Sequence, residues 1–323
     1  MLNYFDRYWG YSTTYDLPEF CMRTTNEVFL SNQWKKILKS NNFDSMKSRE
    51  LLTNLVFRGI PNDVRGDVWK KFACLGIDFT DIESQYETLH EHSSESANDI
   101  ILRDSDRTFA SSIGNKRAGS FIDPLIKILR SYAALDEQVG YTQGMNFIAS
   151  IPLILTKDEY KSFCTFYGMM KNPLIGLRDI YVDGFPGFFE LANVWTFFLE
   201  KKYPWLFHKL KSNPNANILI LVSKCFQSLL LAFDVPLELK LNMFDRIILF
   251  GKASLVSFEM AVIKIFENEL RSLSEFDIQR FFFQVDQNRI FNDVPYILKV
   301  WNEEWITQEE FQKAQNIVNS QSS

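Results

Sequence analysis

Apolar residues recur at the spacing of an α-helix through most of this 323-residue chain. Trp34, Ile37 and Leu38 stand at positions i, i+3 and i+4, which lie on one side of a helix. Three further groups repeat this spacing: Leu51, Leu52, Leu55 and Val56; Val64, Val68, Trp69 and Phe72; Leu125, Ile128, Leu129 and Tyr132. The strict alternation that is typical of strands is rare. The sequence therefore predicts an all-α fold.

The composition agrees with a folded helical protein and excludes several other classes. Hydrophobic residues make up 46% and charged residues 23% of the chain, which is typical of a globular protein rather than a disordered one. With 13 glycines and 10 prolines, the chain has little material for a β-sandwich or for a glycine-rich nucleotide loop. The net charge of −5 gives no electrostatic reason to expect a nucleic acid partner.

Cysteine usage and the chain termini predict a cytoplasmic protein. The four cysteines are far apart and form no C-x-x-C pair, so we interpret them as reduced thiols: Cys21, Cys74, Cys164 and Cys225. The N-terminal residues show no signal-peptide pattern, and neither end carries a lipidation motif. The most apolar run, residues 218–233, contains Lys224 and Gln227 and is shorter than the ~20 residues of a membrane span. We expect it to form a buried helix.

The distribution of aromatic and polar residues predicts three regions. Residues 1–30 are aromatic and irregular and form a predicted N-terminal extension, residues 31–310 a single helical domain, and residues 311–323 a polar C-terminal tail. Within the domain, the polar stretch 83–98 is predicted to be a long surface loop.

Four residues provide helix-start signals. Pro61, Asp123 with Pro124, and Ser274 are each expected at the beginning of a helix.

Two segments resemble ligand-binding motifs but lack a residue that binding requires. Residues 114–120 have the G-x4-G spacing of a phosphate loop, but Ser120 stands where the loop needs Lys, and no strand precedes it. Residues 90–92, His-Glu-His, place two histidines at i and i+2, which face different sides of a helix, and no third ligand is near in sequence. We therefore expect neither a nucleotide site nor a metal site in this chain.

Three segments contain charged and polar residues that packing alone does not explain. In chain order they are Arg58-Gly59-Ile60-Pro61, followed by Arg65; residues 101–109, Ile-Leu-Arg-Asp-Ser-Asp-Arg-Thr-Phe; and residues 140–146, Gly-Tyr-Thr-Gln-Gly-Met-Asn. With a weaker fourth segment, Phe244-Asp245-Arg246 and Gly251, they resemble the TBC domain family of helical GTPase-activating proteins that act on Rab GTPases. The resemblance extends from about Trp34 to about Trp305.

The resemblance implies one large multi-helix domain that accelerates GTP hydrolysis by a Rab-family small GTPase in its GTP-bound form, a reaction that belongs to vesicle trafficking. It implies an arginine finger at Arg107 and a glutamine finger at Gln143, both supplied in trans. The partner would hold GTP and Mg²⁺, so the chain needs no cofactor and is not expected to be a hydrolase by itself. Membrane contact is expected only through the GTPase.

The chemistry of these two side chains agrees with the implied roles. GTP hydrolysis builds negative charge on phosphoryl oxygens, for which a planar and permanently charged guanidinium is a suitable donor. The alternative for Arg107 is a surface residue paired with Asp104 or Asp106. The Gln143 amide has both a donor and an acceptor with which to position a water. Its alternative is a polar residue that satisfies free N–H groups at a helix start.

The remaining motif residues are expected to support these two. Asp104, three residues before Arg107, is placed to orient that arginine or a neighbouring one. Arg58 and Arg65 are expected to be structural or indirect, Tyr141 to shape the groove that receives the GTPase, and Gly144 to let a partner backbone approach closely.

The chain departs from the family pattern at three positions: Ala110 replaces a proline, an aromatic residue is missing near Cys225, and Phe244 stands where Trp is commoner. The departures concern loop stiffness and packing, and with them catalytic efficiency. The alternative function is a catalytically weak Rab-binding scaffold with the same fold.

Overall fold

The computed structural model describes residues 25–40, 46–110, 115–212 and 217–322. Within these ranges it describes every side chain except those of residues 25, 26, 46–49, 107, 109, 110, 115–118, 275, 276 and 322. All regular structure in the described residues is helical, and no strand occurs among them. The all-α prediction is therefore confirmed.

Residues up to Asn172 belong to a first compact unit. Its helices are α1 (Thr25–Lys39), α2 (Met46–Phe57), α3 (Asn62–Ala73), α4 (Thr80–Leu89), α5 (Glu95–Ala110), α6 (Asn115–Leu135), α7 (Met145–Thr156) and α8 (Glu159–Lys171), with a 3₁₀ turn at His90–His92. Helix α6 packs against α5, α7 and α8, and its predicted apolar face is fully buried at Leu125, Ile128 and Leu129.

Residues from Pro173 belong to a second compact unit. Its helices are α9 (Arg178–Tyr181), α10 (Pro186–Lys202), α11 (Pro204–Lys211), α12 (Ile218–Ser228), α13 (Leu237–Phe250), α14 (Ala253–Ile265), α15 (Glu267–Ser272), α16 (Glu275–Gln284), α17 (Val294–Glu303) and α18 (Gln308–Ser322), with 3₁₀ turns at Val285–Gln287 and Arg289–Asn292. Helix α10 packs against α11, α12, α14 and α18. The expected buried helix is α12, with Val222, Cys225 and Phe226 in the core.

The fourth motif segment is part of the core of the second unit. Asp245 and Arg246 lie in α13 and are fully buried. The Arg246 guanidinium lies over the Trp301 ring, 4.4 Å from its centroid, and donates to the amide oxygens of Asn242 and Asn302 at 2.9 Å each. These bonds meet the need of a buried charge for polar partners, so the segment has a clear role in packing.

Two predictions about local structure are wrong. The stretch 83–98 is not a long loop, because most of it lies in α4 and α5. Tyr86 and Leu89, at i and i+3, are buried, and a helix is what places both in the core. Helix α6 does not begin at Asp123: it starts eight residues earlier and contains Pro124, and the buried pair Phe121 and Leu125 continues its apolar face across the proline.

The other helix-start signals agree with the structure. Pro61 is the N-cap of α3. Ser274 is the N-cap of α16, and its hydroxyl accepts from the Asp277 N–H as a capping box requires.

Both predicted terminal regions overlap helices. Helix α1 begins at Thr25, inside the predicted extension, and residues 1–24 lie outside the described residues. Most of the predicted tail belongs to α18, which packs against α10 and buries Phe311, Ala314 and Val318. The described part of the tail thus contributes to the second unit.

Among the described residues, the cysteines are free and the helices do not span a membrane. Cys74, Cys164 and Cys225 are free thiols, and Cys21 lies outside the described residues. No helix in the described part of the chain is long and apolar enough to span a bilayer.

Helices α3 and α8 approach so closely that a methyl group would not fit between them at Gly168. A Cβ there would lie 2.6 Å from the Ala73 carbonyl oxygen. Gly119, in α6, is exposed, and a Cβ there would meet no atom within 4 Å.

We expect Gly168→Ala to lower the free energy of unfolding by about 1–3 kcal/mol. The new methyl group would clash with the Ala73 backbone, which cannot move aside as a flexible side chain can. The matched variant Gly119→Ala should be neutral or stabilising by up to about 1 kcal/mol, since alanine is the better helix former. Urea unfolding of the two variants measures the difference. Equal stabilities would contradict the close approach of α3 and α8.

A buried carboxyl group makes the second unit sensitive to pH. Glu259, in α14, is 2% exposed, and burial raises its pKa to about 7, while a hydrogen bond from the Cys225 thiol partly offsets the rise. The folded chain therefore keeps a proton on Glu259 over a pH range in which the unfolded chain, with the ordinary value of 4.5, releases it.

We expect stability to fall as pH rises from 5 to 8, with Glu259 contributing about 3 kcal/mol to the loss. Glu259→Gln replaces the titratable carboxyl group with an amide, whose oxygen still accepts from the Cys225 thiol. This variant should therefore lose much less stability over the same pH range. The check is the urea midpoint of both proteins at pH 5 and pH 8. Parallel curves would show that Glu259 does not titrate there.

Candidate functional site

The second and third motif segments meet at one end of α5 in the first unit. Helix α5 ends at Ala110, so the backbone of Arg107 lies in its last turn. Residues 143 and 144 form a turn, and α7 begins directly afterwards at Met145. Helices α5 and α7 pack against each other, which brings the two segments to the same place.

A tyrosine–carboxylate hydrogen bond makes the first connection between the segments. The Tyr141 hydroxyl donates to the Asp104 carboxylate at 2.8 Å. Burial, and then this bond to Asp104, raise the pKa of Tyr141 far above its ordinary value, so the phenol keeps its proton and stays a donor. Asp104 lies three residues before Arg107, and Tyr141 lies two before Gln143.

A buried amide makes the second connection. Asn146, 2% exposed, donates from Nδ2 to the Thr108 hydroxyl oxygen at 2.7 Å. Its Oδ1 accepts from the Gly144 N–H at 3.1 Å. Thr108 directly follows Arg107, and Gly144 directly follows Gln143. Each of the two predicted finger residues therefore has a neighbour in the same hydrogen-bonded network.

Gly144 has the backbone conformation that this turn requires. Its φ is 109° and its ψ −31°, in a region that side chains with a Cβ rarely adopt. The sharp turn ends one residue before α7 and leaves Gln143 exposed while Tyr141, Gly144 and Met145 are buried. Gly144 thus acts on the local backbone, in addition to the predicted role of allowing a close approach.

The structure places the two predicted fingers as follows. Gln143 is exposed in the turn before α7, rather than in the first turn of the helix. Arg107 lies within α5, three residues before its end. The Arg107 side chain, Ala110's side chain and residues 111–114 lie outside the described residues.

Arg58 contacts another helix, whereas Arg65 forms a hydrogen bond within its own helix. The Arg58 guanidinium lies over the Phe29 ring of α1, 5.7 Å from its centroid. Arg65 is 7% exposed in the second turn of α3 and donates to the Asn62 amide oxygen at the start of that helix. The supporting roles predicted for both arginines stay predictions.

Thr108 and Asn146 are the members of the network that sequence reasoning did not single out. Both lie inside the quoted motif segments, and both are buried polar residues, at 4% and 2% exposure. The available signal was Asn146 itself, the polar residue among the otherwise apolar residues 145–149, because a buried amide needs partners.

Two apolar side chains of α5 are exposed. Ile100 and Leu102 are 38% and 43% exposed and precede Arg107 by one to two turns. Exposed apolar groups beside charged ones are typical of protein-binding surfaces. No group of three His, Cys, Asp or Glu side chains able to hold a metal occurs in the part of the chain that the structure describes.

Comparison with known proteins identifies the family. The model of the Rab-GTPase-TBC domain family matches residues 62–271, well over half of the chain. The chain therefore belongs to the family of Rab GTPase-activating TBC domains, and the resemblance found in the sequence is confirmed.

The chain is similar to curated proteins with this domain. It is 30% identical over 237 residues to the GTPase-activating protein GYP5 of Saccharomyces cerevisiae, which covers 73% of this chain and 25% of that protein. It is 33% identical over 187 residues to the Rab GTPase-activating protein tbc-11 of Caenorhabditis elegans, which covers 55% of this chain and 19% of that protein. The chain thus spans a quarter or less of the length of these relatives.

Two solved structures share the fold. The Chlamydomonas flagellar RabGAP TBC domain superimposes with a TM-score of 0.65 at 18% identity, covering 85% of this chain and 91% of that one. The Ypt/Rab-GAP domain of Gyp1p gives a TM-score of 0.60 at 16% identity, covering 88% and 98%. At these identities the similarity concerns the fold.

We expect Tyr141→Phe to lower the free energy of unfolding by about 1–2 kcal/mol, because the partly buried Asp104 carboxylate loses a donor. Tyr167→Phe is the matched control: it removes a half-buried hydroxyl from the same unit while the ring keeps its contacts with Phe79 and Phe163. Urea unfolding compares the variants. A smaller loss in Tyr141→Phe than in the control would contradict the importance of the Asp104 bond.

Proposed function

We propose that this chain accelerates GTP hydrolysis by a Rab-family small GTPase in its GTP-bound form. Arg107 and Gln143 are the residues that it supplies in trans. The observation that carries the proposal is the buried network of Asp104, Tyr141, Thr108 and Asn146, since it holds the segments of both residues at one place. Membership of the family supports the same function.

Arg107 is proposed to stabilise the negative charge that develops on the phosphoryl oxygens during hydrolysis. Its guanidinium has five N–H donors in a plane and stays charged at any physiological pH. A lysine at the same position offers a point charge without this geometry. The position in the last turn of α5 suits a side chain that reaches into a partner.

Gln143 is proposed to orient the attacking water. Its amide oxygen can accept from that water and its NH₂ group can donate to the partner's nucleotide or backbone. Two properties support this role. The Gln143 side chain is exposed, and the Gly144 N–H, which shares a peptide unit with the Gln143 carbonyl group, donates to Asn146 Oδ1. A fixed backbone with a free side chain is suited to insertion into another protein's site.

In this proposal the partner holds GTP and Mg²⁺, and this chain contributes side chains only. It has no hydrolase activity by itself and no cofactor. It meets membranes through the GTPase and acts in vesicle trafficking. Ile100, which is exposed and lies on the same side of α5 as the Arg107 backbone position, is proposed to contact the GTPase beside the nucleotide.

The direct test is single-turnover GTP hydrolysis by a panel of purified Rab proteins with and without this chain. Wild type should accelerate at least one of them. Arg107→Ala should reduce that acceleration by about 10³–10⁵, the value of an arginine finger in other GTPase activators, and Arg107→Lys should restore little. Gln143→Ala should also reduce it strongly.

The matched control is Arg103→Ala, one turn earlier on α5. Arg103 is exposed and donates to the Asp99 carbonyl oxygen, so its removal costs one positive charge without touching either finger. It should lower the acceleration far less than Arg107→Ala. Failure of wild type on every Rab of a full panel overturns the proposal. Equal binding of the GDP and transition-state-analogue forms would favour the scaffold alternative.

A further inference from the structure

Asn146 occupies a position that ordinary helix packing does not explain. It lies in the first turn of α7, 2% exposed, and its neighbours Met145, Ile148 and Ala149 are buried apolar residues. Placing an amide in such surroundings costs free energy unless the amide forms hydrogen bonds. A leucine would fill similar space without that cost, so the reason for the amide lies in its two bonds.

The direction of each bond in the network follows from the chemistry of its members. The Thr108 hydroxyl donates its one hydrogen to the Asp104 carbonyl oxygen at 2.7 Å, so toward Asn146 it only accepts. Nδ2 of Asn146 must therefore face Thr108, and Oδ1 faces the Gly144 N–H. The site thus requires a donor at one end of a short side chain and an acceptor at the other.

Both ends of this side chain act on the backbone next to a finger residue. The Gly144 nitrogen belongs to the peptide unit whose carbonyl group is that of Gln143, so Oδ1 fixes the plane of that unit. At the other end, Thr108 is peptide-bonded to Arg107 and is tied by its hydroxyl to the last turn of α5. One amide therefore links the backbone at Gln143 to the backbone at Arg107.

We infer that Asn146 is a positioning residue that sets the separation and orientation of Arg107 and Gln143 through Thr108 and Gly144. The inference rests on the function proposed above. Asn146 touches neither the nucleotide nor the water. Its contribution is to hold one side chain from α5 and one from the turn before α7 in the arrangement that the transition state requires, where a small misplacement costs a large factor in rate.

The alternatives at position 146 show why the amide matters. Aspartate has the same size and can accept from the Gly144 N–H. When it is ionised, however, its second oxygen faces the Thr108 hydroxyl oxygen, where the wild-type protein has an N–H donor. Leucine has neither group, and glutamine is longer by one methylene. Asn146→Asp is therefore the smallest change that replaces the amide donor toward Thr108 with an oxygen and keeps an acceptor for the Gly144 N–H.

The test measures kcat and KM of GTP hydrolysis with a Rab that wild type accelerates, varying the concentration of the GTP-bound Rab. Asn146→Asp should lower kcat by about tenfold to a hundredfold and leave KM within about twofold, because the exposed binding surface is unchanged. Affinity for the Rab loaded with GDP and aluminium fluoride should fall by the same factor as kcat. Affinity for the Rab with a non-hydrolysable GTP analogue should not.

A second pair of variants tests the same bond from its other end. Thr108→Val keeps the shape of the side chain and removes the acceptor, so it should reproduce the kcat loss of Asn146→Asp. Thr108→Ser keeps the hydroxyl and should retain most of the wild-type kcat. This pair decides the question even if Asn146→Asp does not fold.

Asn172→Asp is the matched control for a purely structural effect. Asn172 is also 2% exposed in the first unit, and its Nδ2 donates to the Phe72 and Ala73 carbonyl oxygens. The substitution should lower the unfolding temperature as Asn146→Asp does, yet leave kcat within about twofold at a temperature where the protein is folded.

The outcomes separate the inference from the proposed function. If Arg107→Ala abolishes acceleration while Asn146→Asp and Thr108→Val keep the wild-type kcat, or lose no more of it than Asn172→Asp, the positioning role is overturned and the activator function stands. A loss confined to KM also overturns it. If wild type accelerates no Rab, the proposed function fails, and the inference fails with it.

Discussion

The hydrogen bond from Tyr141 to Asp104 joins two segments that are 37 residues apart, and the rest of the candidate site depends on it and on its companion from Asn146 to Thr108. Both bonds are at least partly buried, where an unpaired partner is costly, so forming one without the other is unfavourable. Because of this cooperativity, the end of α5 and the turn before α7 behave as one unit. The function proposed above, in which Arg107 in α5 and Gln143 in the turn before α7 act together, needs such a connection.

The same region combines buried and exposed polar groups in a way that suits action on a partner. Tyr141, Gly144 and Asn146 are buried, while Gln143, between them in the chain, is exposed. The left-handed conformation at Gly144 produces this alternation, because it turns the backbone just before α7 starts. Polar groups that serve the fold are thus satisfied internally. The polar group proposed to serve catalysis keeps its hydrogen-bonding capacity for the GTPase and the water.

The helical spacing of apolar residues correctly predicted α1, α2, α3 and α6. The sequence was misinterpreted where a local pattern had two possible interpretations. Polar residues at 83–98 suggested a loop, yet Tyr86 and Leu89 are enough to bury one side of α4, since a surface helix needs few apolar residues. Pro124 suggested a helix start, yet α6 passes through it because Phe121 and Leu125 are both in the core. Packing decided both cases, and it acts between residues that are distant in sequence.

By itself the sequence determined the all-α class, the family, and the two residues proposed to act on GTP, because helical spacing and ordered motifs are local properties of the chain. Only the tertiary structure decided that Asp104 pairs with Tyr141, that Thr108 pairs with Asn146, and that Arg58 lies over the Phe29 ring of α1. A motif states which residue types are present, whereas a hydrogen bond requires two atoms within about 3 Å in the right orientation. That distance is set by how α5 and α7 pack.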